Sequence, residues 1–214
     1  MRESDFQKDF KNWVQENLDK VPTAAFELKI VKKSKKPKKK GILEIKIDQI
    51  LYNTRHVYLT GVIDEKNTKN IIKELRALGE INSKPIIMHI NSRGGYAQEG
   101  LAIIDTMRTI KAPVITVITG IAASMAGIIS ITGVERIMTK NAVWMSHNMA
   151  SCTCDYFEKI KDKVAYLYQL EKQIFKIFRT RTKLTERELT KSRNGELWIF
   201  ADDAKKKGIA DIVI

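Results

Sequence analysis

Hydrophobic and polar positions along this chain switch repeatedly between two periods. From residue 41 onward, short β-branched runs alternate with stretches whose apolar residues recur every three or four positions. R-H-V-Y-L-T-G (residues 55–61) reads as a strand and residues 68–78 as a helix. P-I-I-M-H-I-N (85–91) reads as a buried strand, residues 97–109 as a helix, and P-V-I-T-V-I-T-G (113–120) as a second apolar strand. Two shorter strands, R-I-M-T and A-V-W-M-S-H, flank a turn at Lys140-Asn141. Such alternation predicts crossover units on a largely parallel sheet, an α/β protein.

A longer pattern follows. Phe157, Ile160, Val164, Leu167, Leu170, Ile174, Ile177 and Phe178 form one apolar stripe on a helix expected over residues 155–179. At about 1.5 Å per residue it is ~37 Å long, more than one small domain needs to cover its sheet. Part of the stripe is therefore expected to meet another subunit. At the other end, Phe6, Phe10, Trp13, Val14 and Leu18 suggest a short amphipathic helix, followed by K-K-S-K-K-P-K-K-K at residues 32–40. The expected organisation is an amphipathic segment and lysine-rich flexible arm in residues 1–40, then one domain in 41–214.

Composition changes this picture in three places. With 43% hydrophobic residues in 214, the chain can bury one sizeable core, which excludes global disorder. Its formal charge of +13 invites contact with nucleic acid or an acidic partner. Much of that lysine lies in the arm, where self-repulsion and the central Pro37 also fit a solvated linker, and no aromatics are interleaved for base stacking. Only two cysteines occur, Cys152 and Cys154, too close for an ordinary mutual disulfide and too few for a structural zinc site. With no secretory signal pattern at the N-terminus, and with the uncharged run 112–134 punctuated by glycine, serine and proline, a cytoplasmic protein without a membrane span is expected.

Three local features can hold chemistry. I-N-S-R-G-G-Y (90–96) ends a buried strand with paired glycines, whose backbone can turn N–H groups outward as an oxyanion-binding turn or can simply be a turn. Ser124, in G-I-A-A-S-M-A-G, lies where a strand gives way to a helix. There it is either an N-cap in a small-residue packing seam or a nucleophile, with the Met125 N–H free for an oxyanion. The stretch lacks the G-x-S-x-G elbow. His147 closes the strand W-M-S-H, within reach of a cleft, whereas His56 and His89 lie inside apolar strand patterns and read as structural.

In order and spacing, I-N-S-R-G-G, the helix A-I-I-D-T-M-R-T-I-K-A-P-V, G-I-A-A-S-M-A-G and W-M-S-H resemble the ClpP-like serine peptidase family, the proteolytic subunits of Clp proteases. R-H-V-Y-L-T-G-V-I-D and F-A-D-D-A-K-K-K-G-I-A-D extend the resemblance from about residue 45 to the C-terminus. It implies a ClpP/crotonase-like fold of repeated β-β-α units with a protruding handle helix, and a serine endopeptidase. It further implies heptameric rings, stacked in pairs as a barrel, that cleave polypeptides fed by an AAA+ unfoldase. The ATP belongs to that partner, since no G-x-x-x-x-G-K-S/T loop is present here, and no metal or organic cofactor is implied.

Carried over by position, Ser124 attacks the peptide carbonyl, His147 accepts and returns the proton, and the N–H groups of Gly95 and Met125 hold the oxyanion. Counting back from Ala201 puts the family's aspartate position on Glu196, with Asn194 as the alternative orienting group. Arg93 replaces the family's usual proline beside Gly94, which loosens the turn or offers a cation to a substrate carboxylate or a neighbouring subunit. These departures mark a divergent copy of the kind phages carry. They keep open a second class, a catalytically silent ring or assembly component whose basic arm binds an acidic partner or nucleic acid. A third, acyl-CoA chemistry on the same broad fold, gives the Ser124–His147 pair no purpose.

Overall fold

The computed structural model describes Leu51 and residues 53–214; the amphipathic segment and lysine arm expected in residues 1–40 lie outside them. Seven strands and six helices follow in order: β1 (His56–Ile63), α1 (Glu65–Ile81), β2 (Ile86–Gly95), α2 (Ala97–Thr109), β3 (Val114–Ala123), α3 (Met125–Ser130), β4 (Arg136–Met138), β5 (Val143–His147), α4 (Phe157–Arg181), α5 (Glu186–Asn194), β6 (Glu196–Phe200), α6 (Ala201–Ala204) and β7 (Ile212–Val213). One sheet runs β1-β2-β3-β4-β7, and every pair along it is parallel. β3 forks: Thr116–Ile118 pair with β4, whereas Ile121–Ala123 pair with β5, which carries β6 antiparallel on its far side. The fork sets β5 and β6 beside the C-terminal end of β3, where α/β sheets place their sites.

The strands form because they bury what their sequence offers. In β1 and β2, Val57, Leu59, Ile86, Met88 and Ile90 point to one buried face, while β3 is buried over its first five residues on both faces, as a continuous apolar run requires. α1 starts at an N-cap, Asp64, whose carboxylate accepts the Asn67 N–H at 2.8 Å; α5 starts with a full capping box between Thr185 and Glu188. The uncharged run 112–134 is broken into β3 and α3 by the junction at Ser124. No helix among the described residues is long and apolar enough to cross a membrane.

α4 divides into two halves. Leu170, Ile174, Phe175, Ile177 and Phe178 are buried, with Trp144 of β5 edge-on to Phe178 at a 6.0 Å centroid distance. Toward its N-terminus the stripe is uncovered: Phe157 is 70% exposed and Val164 42%. The C-terminal end of α4 is tied down by Arg181, which donates to the carbonyls of Ile131 and Gly133. Arg136 donates to the Arg181 and Gly208 carbonyls and pairs with Asp211 through both carboxylate oxygens.

Candidate active site

Ser124 joins β3 to α3 with φ 53° and ψ −125°, and only one other non-glycine described residue, Arg55, has positive φ. A left-handed backbone at a side-chain-bearing residue is strained, and such strain persists where surrounding contacts enforce it. Here they do. The Ser124 N–H donates to the Met145 carbonyl at 2.9 Å, and its own carbonyl accepts from Ile128. The A-A-S-M-A sequence, without G-x-S-x-G, thus adopts the sharp strand-to-helix turn that lifts a serine out of a sheet. Ser124 stands at the N-cap position of α3, but its side chain makes no capping hydrogen bond, and the residue is half-buried. Neither capping nor full burial accounts for the hydroxyl.

The glycine turn lies against this serine. Gly94 has φ +99°, and a Cβ on it would stand 2.8 Å from Ser124 Cβ and 2.9 Å from the Met125 nitrogen. Only a glycine permits that approach. Ser92, buried beneath the turn, donates to the Gly61 carbonyl at 2.5 Å and accepts the Gly94 N–H at 3.1 Å. Sequence reasoning passed over this hydroxyl, although its place two residues before a glycine is a common turn-bracing pattern. Irregularities in the β1–β2 and β2–β3 ladders precede the turn and re-aim the end of β2. Gly95 rests on the Ile63 backbone, so this position also excludes a side chain.

Met125 is the first residue of α3, so its N–H has no partner within the helix. Its side chain is buried against Gly100 of α2, where an added Cβ would meet Met125 Cγ at 2.2 Å and its sulfur at 2.9 Å. From the other side, the Trp144 indole donates to the Gly127 carbonyl at 2.9 Å. α3 is clamped between α2 and β5, which fixes the backbone on both sides of Ser124.

β5 passes beside the junction, with Ala123 in register with Met145, and carries His147 two residues further on. His147 is exposed at the strand end, directly opposite Glu196 in the antiparallel β5–β6 ladder. Directly opposed residues project to the same face with Cβ atoms about 5 Å apart. Glu196 Oε2 accepts the Trp198 indole N–H at 2.8 Å, and among the described residues no hydrogen bond joins Ser124, His147 and Glu196. Asn194 ends α5 on the surface, two residues before the position that faces His147. Arg93 is exposed and makes no ion pair or hydrogen bond among the described residues. The structure therefore brings Gly94, Ser124 and Met125 into contact and sets Glu196 across from His147, with no hydrogen bond between these two groups among the described residues.

Beneath this ladder, on the opposite face of β5, the hydroxyls of Ser146 and Ser192 hydrogen-bond at 2.7 Å in a buried position and pin α5 to the strand that bears His147. A cavity of about 210 Å³ opens between the segment after His147 and α4, lined by Asn148, Met149, Ser151, Val164, Leu167 and Tyr168 among others. The other two histidines lie apart from these residues on β1 and β2. His56 Nδ1 and His89 Nε2 are 2.8 Å apart, His89 stacks on Tyr58, and burial together with the neighbouring His56 holds the His89 pKa down to about 4.

The sequence is similar to known proteins over most of its length. The family described as Clp protease matches residues 39–214. The ATP-dependent Clp protease proteolytic subunit of Streptococcus mutans serotype c is 32% identical over 169 residues, 77% of this chain and 86% of that protein. Proteins of the same name from Streptococcus pyogenes serotype M5 and Streptococcus equi subsp. equi are each 30% identical over the same shares.

Proposed function

The chain belongs to the Clp protease family, and from that premise we propose that it is a serine endopeptidase in which Ser124 is the nucleophile, His147 the general base and acid, and Glu196 the group that orients His147. The observation that carries this reading is the strained Ser124 backbone packed against Gly94, with the hydroxyl unspent on capping its helix. In the first step Ser124 Oγ adds to the peptide carbonyl while His147 takes its proton. The N–H groups of Met125 and Gly95 receive the negative charge on the former carbonyl oxygen. His147 then returns the proton to the leaving amine, and a water molecule, activated by the same imidazole, releases the acyl group. The cavity that opens after His147, lined by Met149, Val164 and Leu167 together with Glu171, receives the side chain next to the cleaved bond.

The assembly belongs to the same proposal. The uncovered first half of α4 offers an apolar face through which rings stack, and the relatives are named as subunits of an ATP-dependent protease. With no phosphate-binding loop in its own sequence, this chain would leave ATP hydrolysis to an unfoldase partner and enclose the cleavage chamber itself, in the cytoplasm.

One observation favours a second reading, in which the chain is a silent member of an assembly: the Glu196 carboxylate is held by Trp198. Hydrolysis of a fluorogenic peptide by the full chain separates the two. The peptidase reading predicts turnover that falls ~10³-fold or more in Ser124→Ala and strongly in Glu196→Ala, with Asn194→Ala near wild type. Equal turnover in wild type and Ser124→Ala contradicts it, and loss in Asn194→Ala alone transfers the orienting role to that residue.

A further inference from the structure

The only two cysteines of the chain stand together in the segment that leads from His147 to α4. Residues 148–154 there have neither helix, strand nor turn, and Cys152 and Cys154 are both exposed free thiols. Between them Thr153 is turned inward, its Oγ1 shielded from solvent. Exposed, inward, exposed is the alternation of extended chain, and it sets both thiols on the solvent side of the segment.

In that conformation a mutual disulfide is strained. Two residues of extended chain separate the Cα atoms by ~6.6 Å, at the outer edge of the ~4.4–6.8 Å that disulfides span. A bridging cation removes the strain. With metal–thiolate bonds of about 2.3 Å on either side, the sulfurs can stand up to ~4.6 Å apart. Among the described residues no group of three or more His, Cys, Asp or Glu side chains is gathered for a metal, so the pair supplies two ligands and no more. Two thiolates suit a soft cation of low coordination number and are a poor match for hard cations, which demand several oxygens.

We propose that Cys152 and Cys154 form a two-thiolate site for a soft, thiophilic cation, with monovalent copper as its model ligand. Each thiol gives up its proton and forms one sulfur–metal bond, so one Cu(I) displaces two protons and no oxidant or reductant is consumed. The site is independent of peptide hydrolysis, and neither stands or falls with the other.

The test is transfer of Cu(I) from a chromogenic chelator to the full-length protein, under anaerobic conditions, with iodoacetamide trapping of free thiols as a second readout. One Cu(I) per chain is expected, with both cysteines protected from alkylation and at least a tenfold loss of affinity in Cys152→Ser and in Cys154→Ser alike. Both positions are exposed, and unchanged thermal unfolding of the apo variants shows that they fold. Absence of transfer, two independent Cu(I) per chain, or single variants that bind as the wild type does would each overturn the proposal.

Discussion

Gly94 tolerates no substitute, for two independent reasons. Its φ of +99° disfavours any side chain, and an added Cβ would press on both Ser124 and the Met125 nitrogen. Gly94→Ala is accordingly expected to cost ~1–2 kcal/mol of stability from backbone strain, and to reduce peptide hydrolysis tenfold or more by displacing the Gly95 and Met125 N–H groups proposed to hold the oxyanion. Thermal unfolding and kcat/KM measured together check this; a variant with lowered stability and undiminished kcat/KM would detach the glycine turn from the reaction. At this scale the sequence was informative about residue type and silent about conformation. Ser124, Gly94, Gly95 and His147 stand out because serine, paired glycines and histidine are sparse at strand ends. The positive φ at Ser124 follows from tertiary contacts with Met145, Gly94 and α2, and no local pattern encodes it. Ser92 and Ser146 escaped notice because a serine inside a strand looks alike whether it braces a turn, pins a helix or faces water.

Elements were legible where periodicity was long. The spacing of apolar residues locates α2 at its observed limits and α4 within two residues at either end, because the stripe repeats over many turns. The elements after α4 are short and escape periodicity, although the Thr185–Glu188 capping box marks one helix start. Nor does periodicity show the fork of β3, which is a matter of which strands pair. At the C-terminal edge, the hydrogen bonds and charge of Arg136 outweigh burial and hold the Asp211 carboxyl below its ordinary value. A carboxylate with a depressed pKa stabilises the fold above its unfolded pKa, and that contribution is lost as pH falls through the lower folded value. Acid titration of stability should thus show a steeper loss below pH ~4 in wild type than in Asp211→Asn. Arg136→Ala, which also strips the Arg181 and Gly208 carbonyls of a donor, is expected to cost ~1–2 kcal/mol in denaturant unfolding. Identical acid profiles in wild type and Asp211→Asn would mean that the pair does not anchor β7 to β4.

On the scale of the whole molecule, the two halves of α4 have different work. The buried half completes the core around Trp144 and Phe178, and the half bearing Phe157 and Val164 leaves apolar side chains in solvent. A charge placed there tests the proposed assembly and spares the chain's own core: Phe157→Glu is expected to lower the mass seen by light scattering while leaving the far-ultraviolet circular dichroism unchanged. Unchanged mass in an oligomeric wild type would remove this face from the interface. The overhang was foreseeable from helix length alone, because a stripe of ~37 Å exceeds one small sheet.

Whether Ser124 is a nucleophile is addressed most directly by covalent labelling, which requires no peptide substrate, partner or known ring size. A fluorophosphonate offered to the full-length protein, followed by peptide mass spectrometry, is expected to place one phosphonyl group on Ser124. Labelling should be abolished in Ser124→Ala and severely slowed in His147→Ala. A label that persists in Ser124→Ala, or a wild-type protein left unmodified under conditions that label known serine peptidases, would contradict the account.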